Sequence, residues 1–361
     1  MTSHLDVIAM REDRGRFARR TGTNVLVYWP HGFGDWVHFG GIAPLLEPSN
    51  RYAITRFGDD YVSVLDGCNG VTPLYSGERS PGDGSAMGAP HFGLRLRDCN
   101  GRRRRIAVAQ PLGDAVECFA PEILLWTDYP ETEGRTAFPF HTKARNLVRH
   151  LVAPDRLKTA PLFEPLKNAI DFTPSPEVLR IVDERLSQFA PPGTRLCVVS
   201  TTGITASRKN WGDGHEARDF VSMLRARSHR WRVLSMDDET VGDAVFRRVF
   251  ASIEQPFARV FKALAARTDL FIGIPSGPLH FVLARGGIPT VGLWLAHHPD
   301  WYDEPNADAI HLIGNYVRER GFDRRPATLT KPPSHAHRVR YVAMRTMEAR
   351  DVMAAADALT T

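Results

Sequence analysis

Short unbroken apolar runs alternate with stretches in which apolar residues recur at helical spacing, and the alternation is seen twice along the chain. Asn24-Val25-Leu26-Val27-Tyr28-Trp29 is the first clear run. A run with no polar side marks a strand buried on both faces. The loop Pro30-His31-Gly32-Phe33-Gly34-Asp35 follows, and the spacing then predicts a helix over 36–46 with Asp35 placed to cap its first turn. Strands are predicted over 52–57, 71–75 and 106–109, a short helix over 59–65, and helices over 117–126 and 142–152. Residues 1–23 read as a polar lead-in, and 76–100, rich in Gly, Pro and Ser, as a long loop.

Repeated prolines over 154–174 read as the passage between two domains, set at 1–170, with an insertion near 76–105, and 171–361. Ser175-Pro176 opens a helix to residue 189, Ser175 as N-cap and Pro176 in the first turn. The alternation then resumes, with strands over 196–201 and 231–236 and helices over 216–226, 241–252 and 257–267. Leu270 to Ile274 is a second doubly buried run, broken by Pro275-Ser276-Gly277. A helix is predicted from Pro278 to Arg285, stopped by Gly286-Gly287, then a strand over 290–294 and a closing helix over 341–359. Strand–helix alternation of this kind predicts an α/β fold with parallel, helix-covered sheets.

Length and composition agree. A chain of 361 residues exceeds the size at which single cores stop growing, and 43% apolar with 24% charged residues is ordinary globular usage. No apolar run is long enough to span a bilayer, and the first twenty residues lack the apolar core of a signal peptide, so a cytoplasmic location is expected. Cys68, Cys99, Cys118 and Cys197 form no C-x-x-C pair, which points away from a disulfide framework or a zinc site. A net charge of +5 over this length is too weak for nucleic acid. The one dense basic run, Arg102 to Arg105, is either a solvated loop face or a contact for an anionic acceptor or membrane surface.

A helix opening at Pro278, straight after a strand, directs free N–H groups and partial positive charge at the crevice beyond, where phosphate is the usual guest. His280 could add a hydrogen bond or charge there. Asp237, Asp238 and Glu239 follow the strand over 231–236, and His297-His298 follow the one over 290–294. None of these has the ligand spacing of a metal site.

Three stretches together resemble the heptosyltransferases, glycosyltransferase family 9. Gly32-Phe33-Gly34-Asp35-Trp36-Val37-His38, with Pro44-Leu45-Leu46, resembles the family's amino-terminal glycine–aspartate motif. Ser276-Gly277-Pro278-Leu279-His280, with Gly287-Ile288-Pro289, resembles its serine/threonine–glycine–proline–x–histidine segment. Thr201-Thr202 and Lys209-Asn210-Trp211 resemble its strand-end threonines and lysine–x–tryptophan pair. The resemblance implies a GT-B fold, two Rossmann-like domains facing a central cleft, and inverting transfer of a sugar from a nucleoside-diphosphate donor (ADP-heptose-like) to an acceptor hydroxyl of a glycan, lipid-linked or small molecule. Asp35 would be the catalytic base, in an acceptor-side loop with His31, Gly32 and Gly34. Thr201, Thr202, Lys209, Ser276, Gly277, Pro278 and His280 would hold the donor, and Glu239, or Asp237 or Asp238 beside it, its ribose, with no metal or other cofactor. Pro275 departs from the family, many of whose members have there an aspartate associated with the donor sugar's hydroxyls. The segment 76–105 is a second departure.

Two other classes fit parts of this pattern. A GT-B nucleotide-sugar epimerase would keep the phosphate-binding helix and need no acceptor; a degenerate transferase would bind nucleotide or glycan as a scaffold. No G-x-G-x-x-G follows either domain's first strand, which speaks against a nicotinamide dehydrogenase.

Overall fold

The computed structural model describes residues 5–9, 21–29, 32–55, 61–75, 105–106, 123–126, 169–203, 210–211, 214–237, 239–295, 308–314, 339–342 and 347–360. The chain divides into two compact units. One comprises Met1–Leu162, Leu166–Asp171 and Pro256–Ala258; the other comprises Phe163–Pro165, Phe172–Gln255 and Arg259–Thr361.

The first unit is built on β1 (Leu5–Ala9), β2 (Asn24–Tyr28), β3 (Arg51–Thr55), β4 (Val71–Pro73), β5 (Arg105–Ile106) and β6 (Ile123–Trp126). They form one sheet in the order β4-β3-β2-β6-β1-β5, parallel except where β5 meets β1. Helix α1 (Phe33–Ile42) follows β2, and a 3₁₀ turn, Val62–Leu65, lies between β3 and β4. Trp36, Phe39, Ile54 and Leu65 are fully buried against this sheet.

Several expectations are corrected here. The segment read as a polar lead-in contains β1, whose partner β6 is far away in sequence. The helix expected over 117–126 is, at Ile123–Trp126, a strand between β1 and β2. A short apolar run carries no periodicity that separates a central strand from a buried helix, so tertiary pairing decided. The helix expected from Trp36 begins at Phe33, because the Trp36 N–H already reaches the Gly32 carbonyl at 3.3 Å. Gly32 is therefore the N-cap, Gly34 belongs to the first turn, and Asp35 is not the capping residue.

The second unit is an all-parallel sheet of β7 (Arg195–Ser200), β8 (Trp231–Ser235), β9 (Ala244–Val245), β10 (Leu270–Gly273), β11 (Thr290–Trp294), β12 (Ala309–Gly314) and β13 (Val339–Val342), in the order β13-β12-β11-β10-β7-β8-β9. Its helices are α2 (Pro176–Leu186), α3 (His215–Arg227), α4 (Phe246–Val249), α5 (Phe257–Ala265), α6 (Gly277–Arg285) and α7 (Ala349–Thr360). α2 begins as its caps dictate: the Ser175 hydroxyl accepts from the Val178 N–H at 3.3 Å. Val199, Trp211, Phe220, Ile272 and Leu293 belong to one buried core. Cys197 is part of it, and burial pushes its thiol pKa far up, which makes it an inert apolar group.

Here too the apolar pattern misled in places. The helix expected over 241–252 is interrupted by the edge strand β9. Asp243 exchanges bonds with Val233, its N–H reaching the carbonyl at 2.8 Å and its carboxylate accepting from the Val233 N–H at 2.7 Å. Only glycine fits beside it, since a Cβ on Gly242 would lie 2.8 Å from the Val233 carbonyl oxygen. The closing helix starts at Ala349 rather than Tyr341, which lies in β13 and pairs with Ile313. β12 was not anticipated. The expected helix over 142–152 lies outside the described residues.

In the middle of the second sheet, Trp294 donates its indole N–H to His311 Nδ1 at 2.9 Å, with both rings buried. The bond crosses the face of Gly292, where a Cβ would stand 2.6 Å from Trp294 Nε1 and 2.8 Å from His311 Nδ1. Gly292→Ala must therefore displace two packed rings and break a buried hydrogen bond. We expect it to cost about 2–4 kcal/mol, the sum of overpacking and a lost buried bond, read as a lower denaturation midpoint with unchanged slope. A midpoint equal to the parent's would show that the rings are free to move.

Candidate functional site

Both sheets reverse their strand order, and Asp35, Thr201 and Ser276 lie just beyond strands at the reversals. In the second sheet β7, β8 and β9 build outward one way and β10 to β13 the other, so β7 and β10 are neighbours at the switch. Ligands of open α/β sheets bind outside the carboxyl ends of strands at such a point. In the first sheet the switch falls between β2 and β6, which end together with Tyr28 opposite Trp126.

At the second switch, β10 ends at Gly273 and α6 begins at Gly277, with Ser276 as N-cap in extended conformation. The Ser276 side chain makes no capping bond and instead stands 3.5 Å from the Ser200 hydroxyl at the end of β7. The N-cap side chain therefore takes none of the helix's amino-terminal N–H groups, and Pro278 contributes none. Thr201 is buried, and its hydroxyl has no hydrogen-bond partner among the described residues. Leaving a buried hydroxyl unmet costs about 1–3 kcal/mol. Its backbone is committed on both sides, the N–H to Asp237 Oδ1 at 3.3 Å and the carbonyl to the Trp211 N–H at 2.8 Å.

Asp237, just beyond β8, also accepts from the Thr202 N–H at 2.6 Å and from the Thr202 hydroxyl. The Gly203 N–H is held by Asn210 Oδ1 at 2.9 Å, and Trp211 is wholly buried with its indole N–H on the Met347 carbonyl at 2.8 Å. The loop after β7 is thus anchored at both ends, with residues 204–209, Lys209 among them, outside the described residues.

The other expected donor residues are placed less directly. Glu239 is exposed and its carboxylate is paired with Arg247, at 3.1 Å, and with Arg248. His280 is 5% exposed, its ring 6.4 Å from that of Trp294 and inclined at 60°. Asp238, His297 and His298 lie outside the described residues. Ser200 and Asn210 were missed as contacts, and Asp237 was foreseen only as an alternative to Glu239 at the ribose. The signal available for them was position alone, small or polar residues just past an apolar strand.

At the first switch, Gly32 (φ −72°, ψ 168°) caps α1 without a side chain, and Asp35 lies in the helix's first turn, half-buried. A carboxylate there interacts favourably with the helix's positive end. Its Oδ2 would be 3.8 Å from a Cβ on Gly32, so the carboxylate folds back over the glycine. His31 lies outside the described residues. Among the described residues no three His, Cys, Asp or Glu side chains group as a metal site would require, and no helix is long and apolar enough to cross a membrane.

Two Rossmann-like units of mostly parallel sheet with flanking helices define a GT-B type of α/β fold. E. coli ADP-heptose lps heptosyltransferase II shares it, with a TM-score of 0.56 at 13% identity over 93% of this chain and 98% of that one. The glycosyl transferase family 9 structure from Veillonella parvula aligns with a TM-score of 0.49 at 14% identity over 96% and 99%. At these identities the likeness is one of fold. No protein-family model and no curated protein sequence matches the chain.

Proposed function

We propose that this protein is a glycosyltransferase that moves a sugar, with inversion, from a nucleoside-diphosphate donor bound by the second unit to an acceptor hydroxyl. The observation that carries the reading is the start of α6 at the strand-order switch, where Ser276 leaves the helix end uncovered beside Ser200 and the loop after β7. A diphosphate leaving group needs positive potential, and a helix amino terminus supplies it. Lys209 adds a full charge on this reading, and no metal is required. The motifs shared with the heptosyltransferases and the fold shared with one of them support the same assignment. Pro275 offers no side-chain acceptor for a sugar hydroxyl, so on this reading the donated sugar is held differently from heptose in that family.

An acceptor hydroxyl is a weak nucleophile, and a carboxylate that takes its proton as the new bond forms lowers the barrier. Asp35 is that base in this proposal. As the acceptor oxygen attacks the anomeric carbon, its proton passes to Asp35 and the bond to the nucleoside diphosphate breaks. The diphosphate departs with the electron pair.

Lys209→Ala should weaken nucleoside-diphosphate binding by about 1.5–3 kcal/mol, the range for a charge-assisted hydrogen bond, measured by calorimetry. Equal affinity in the variant removes Lys209 from the donor site. Turnover should survive EDTA, since the helix end and Lys209 do the work of a divalent ion; activity lost to chelation and restored by Mg²⁺ overturns the metal-free mechanism.

Asp35→Asn retains size but cannot take a proton. Transfer should fall by about 10²–10⁴-fold, with donor affinity and melting temperature nearly unchanged. A variant that melts much lower, with activity lost in proportion, makes Asp35 structural. Product formed from donor without acceptor would indicate an epimerase, and a parent protein that binds donor without turnover a scaffold.

A further inference from the structure

We propose that Asp237 is the positioning residue of the donor loop, fixing the chain beyond β7 in the shape that receives the nucleotide's diphosphate. The proposal rests on the donor site assigned above and goes further, because the sequence offers Asp237 only as an alternative to Glu239 at the ribose and gives it no part in the loop after β7. A chain leaving a parallel strand carries N–H groups that the ladder no longer pairs, and buried ones must find acceptors. Here one carboxylate takes two consecutive N–H groups, Thr201 at 3.3 Å and Thr202 at 2.6 Å, together with the Thr202 hydroxyl. Charge-assisted bonds of this kind are roughly twice as strong as neutral ones.

The carboxylate is itself held in place. Met236, the residue before it, donates its N–H to the Val199 carbonyl at 2.8 Å, which ties the end of β8 to β7. On the far side Trp211 and Asn210 grip Thr201 and Gly203, so Thr201 to Gly203 are held from both sides. Because both N–H groups are already taken, a diphosphate cannot use them. The contribution of Thr201 to Gly203 is the path they give the chain as it leaves Ser200, which pairing with β10 holds 3.5 Å from Ser276 at the start of α6. This separates Asp237 from two other roles. A carboxylate that merely stood near the anion would repel it, and one that bound the ribose would leave a bare diphosphate indifferent to its removal.

The test is Asp237→Asn in the full-length protein, with ADP, UDP, GDP and inorganic pyrophosphate titrated by calorimetry. The amide can accept only one of the two N–H bonds and turns a donor toward the other. We expect pyrophosphate and whichever nucleoside diphosphate the parent binds to weaken by the same factor, about tenfold, the worth of one charge-assisted bond. Hydrogen exchange at Thr201 and Thr202 should quicken with no ligand present. Pyrophosphate that binds equally or more tightly while the nucleotide weakens makes Asp237 a ribose ligand and overturns the proposal. Unchanged affinity for both overturns it as well. If Asp237→Asn does not fold, Asp237→Glu, which keeps the charge but moves it by one methylene, should show the same joint weakening, and unchanged affinities there overturn the proposal. A parent protein that binds none of the four ligands overturns the donor-site assignment and this proposal with it.

Discussion

Parallel strands buried on both faces must end together at one edge, and what their last residues do with unpaired polar groups decides most of what this protein presents. In the second sheet the interiors of β7 and β10 are apolar, Val198 and Val199 in the one and Phe271 and Ile272 in the other, all at most 1% exposed. Polar residues are excluded from that interior and accumulate where the strands stop: Ser200, Thr201, Asp237 and Ser276. The backbone groups there cannot be left unmet. Some are met by neighbouring side chains, as Asp237 does for Thr201 and Thr202, and the first turn of α6 is left open beside them.

The two units answer the same constraint with different chemistry. In the first, a helix follows the central strand with glycine as its N-cap, and a carboxylate in its first turn supplies the negative group that its positive end favours. In the second, the carboxylate is placed on the loop instead of the helix, and the helix end carries only a serine. An acidic group at one helix start and none at the other is the arrangement expected if the first handles a proton and the second an anion.

Much of this could be read before any coordinates. The runs 24–29 and 270–274 stand out because each is short and followed at once by a proline- and glycine-bearing loop, which favours a buried strand over a helix, and Ser175-Pro176 fixes a helix start by local chemistry alone. What could not be read depends on partners distant in sequence. β1 is a strand only because β6 lies beside it, and Ile123–Trp126 is a strand only because β1 and β2 enclose it. The strand order, and so the position of the switch, is likewise a property of pairing. In the candidate site Ser276 and Asp35 were visible as motif residues, whereas choosing Asp237 among three consecutive acids needed the direction of one carboxylate. Glu239, expected at the donor's ribose, pairs with Arg247 and Arg248.

The anchoring of Trp211 sets an order on how the second unit can be made. Its indole reaches the backbone of Met347, and Glu216 Oε2 in α3 receives the Ala349 N–H at 2.8 Å. Each pairing joins residues more than 130 positions apart. Ribosomal synthesis delivers the chain from its amino terminus, so β7, α3 and β8 emerge long before the segment that completes their packing. Until then Trp211 has no acceptor for its N–H and one side of α3 has no helix against it. Contacts this distant slow folding because loop closure precedes any gain from them. The unit's last helix is therefore the latch of its assembly, and the nascent chain spends most of its elongation with that latch still unmade.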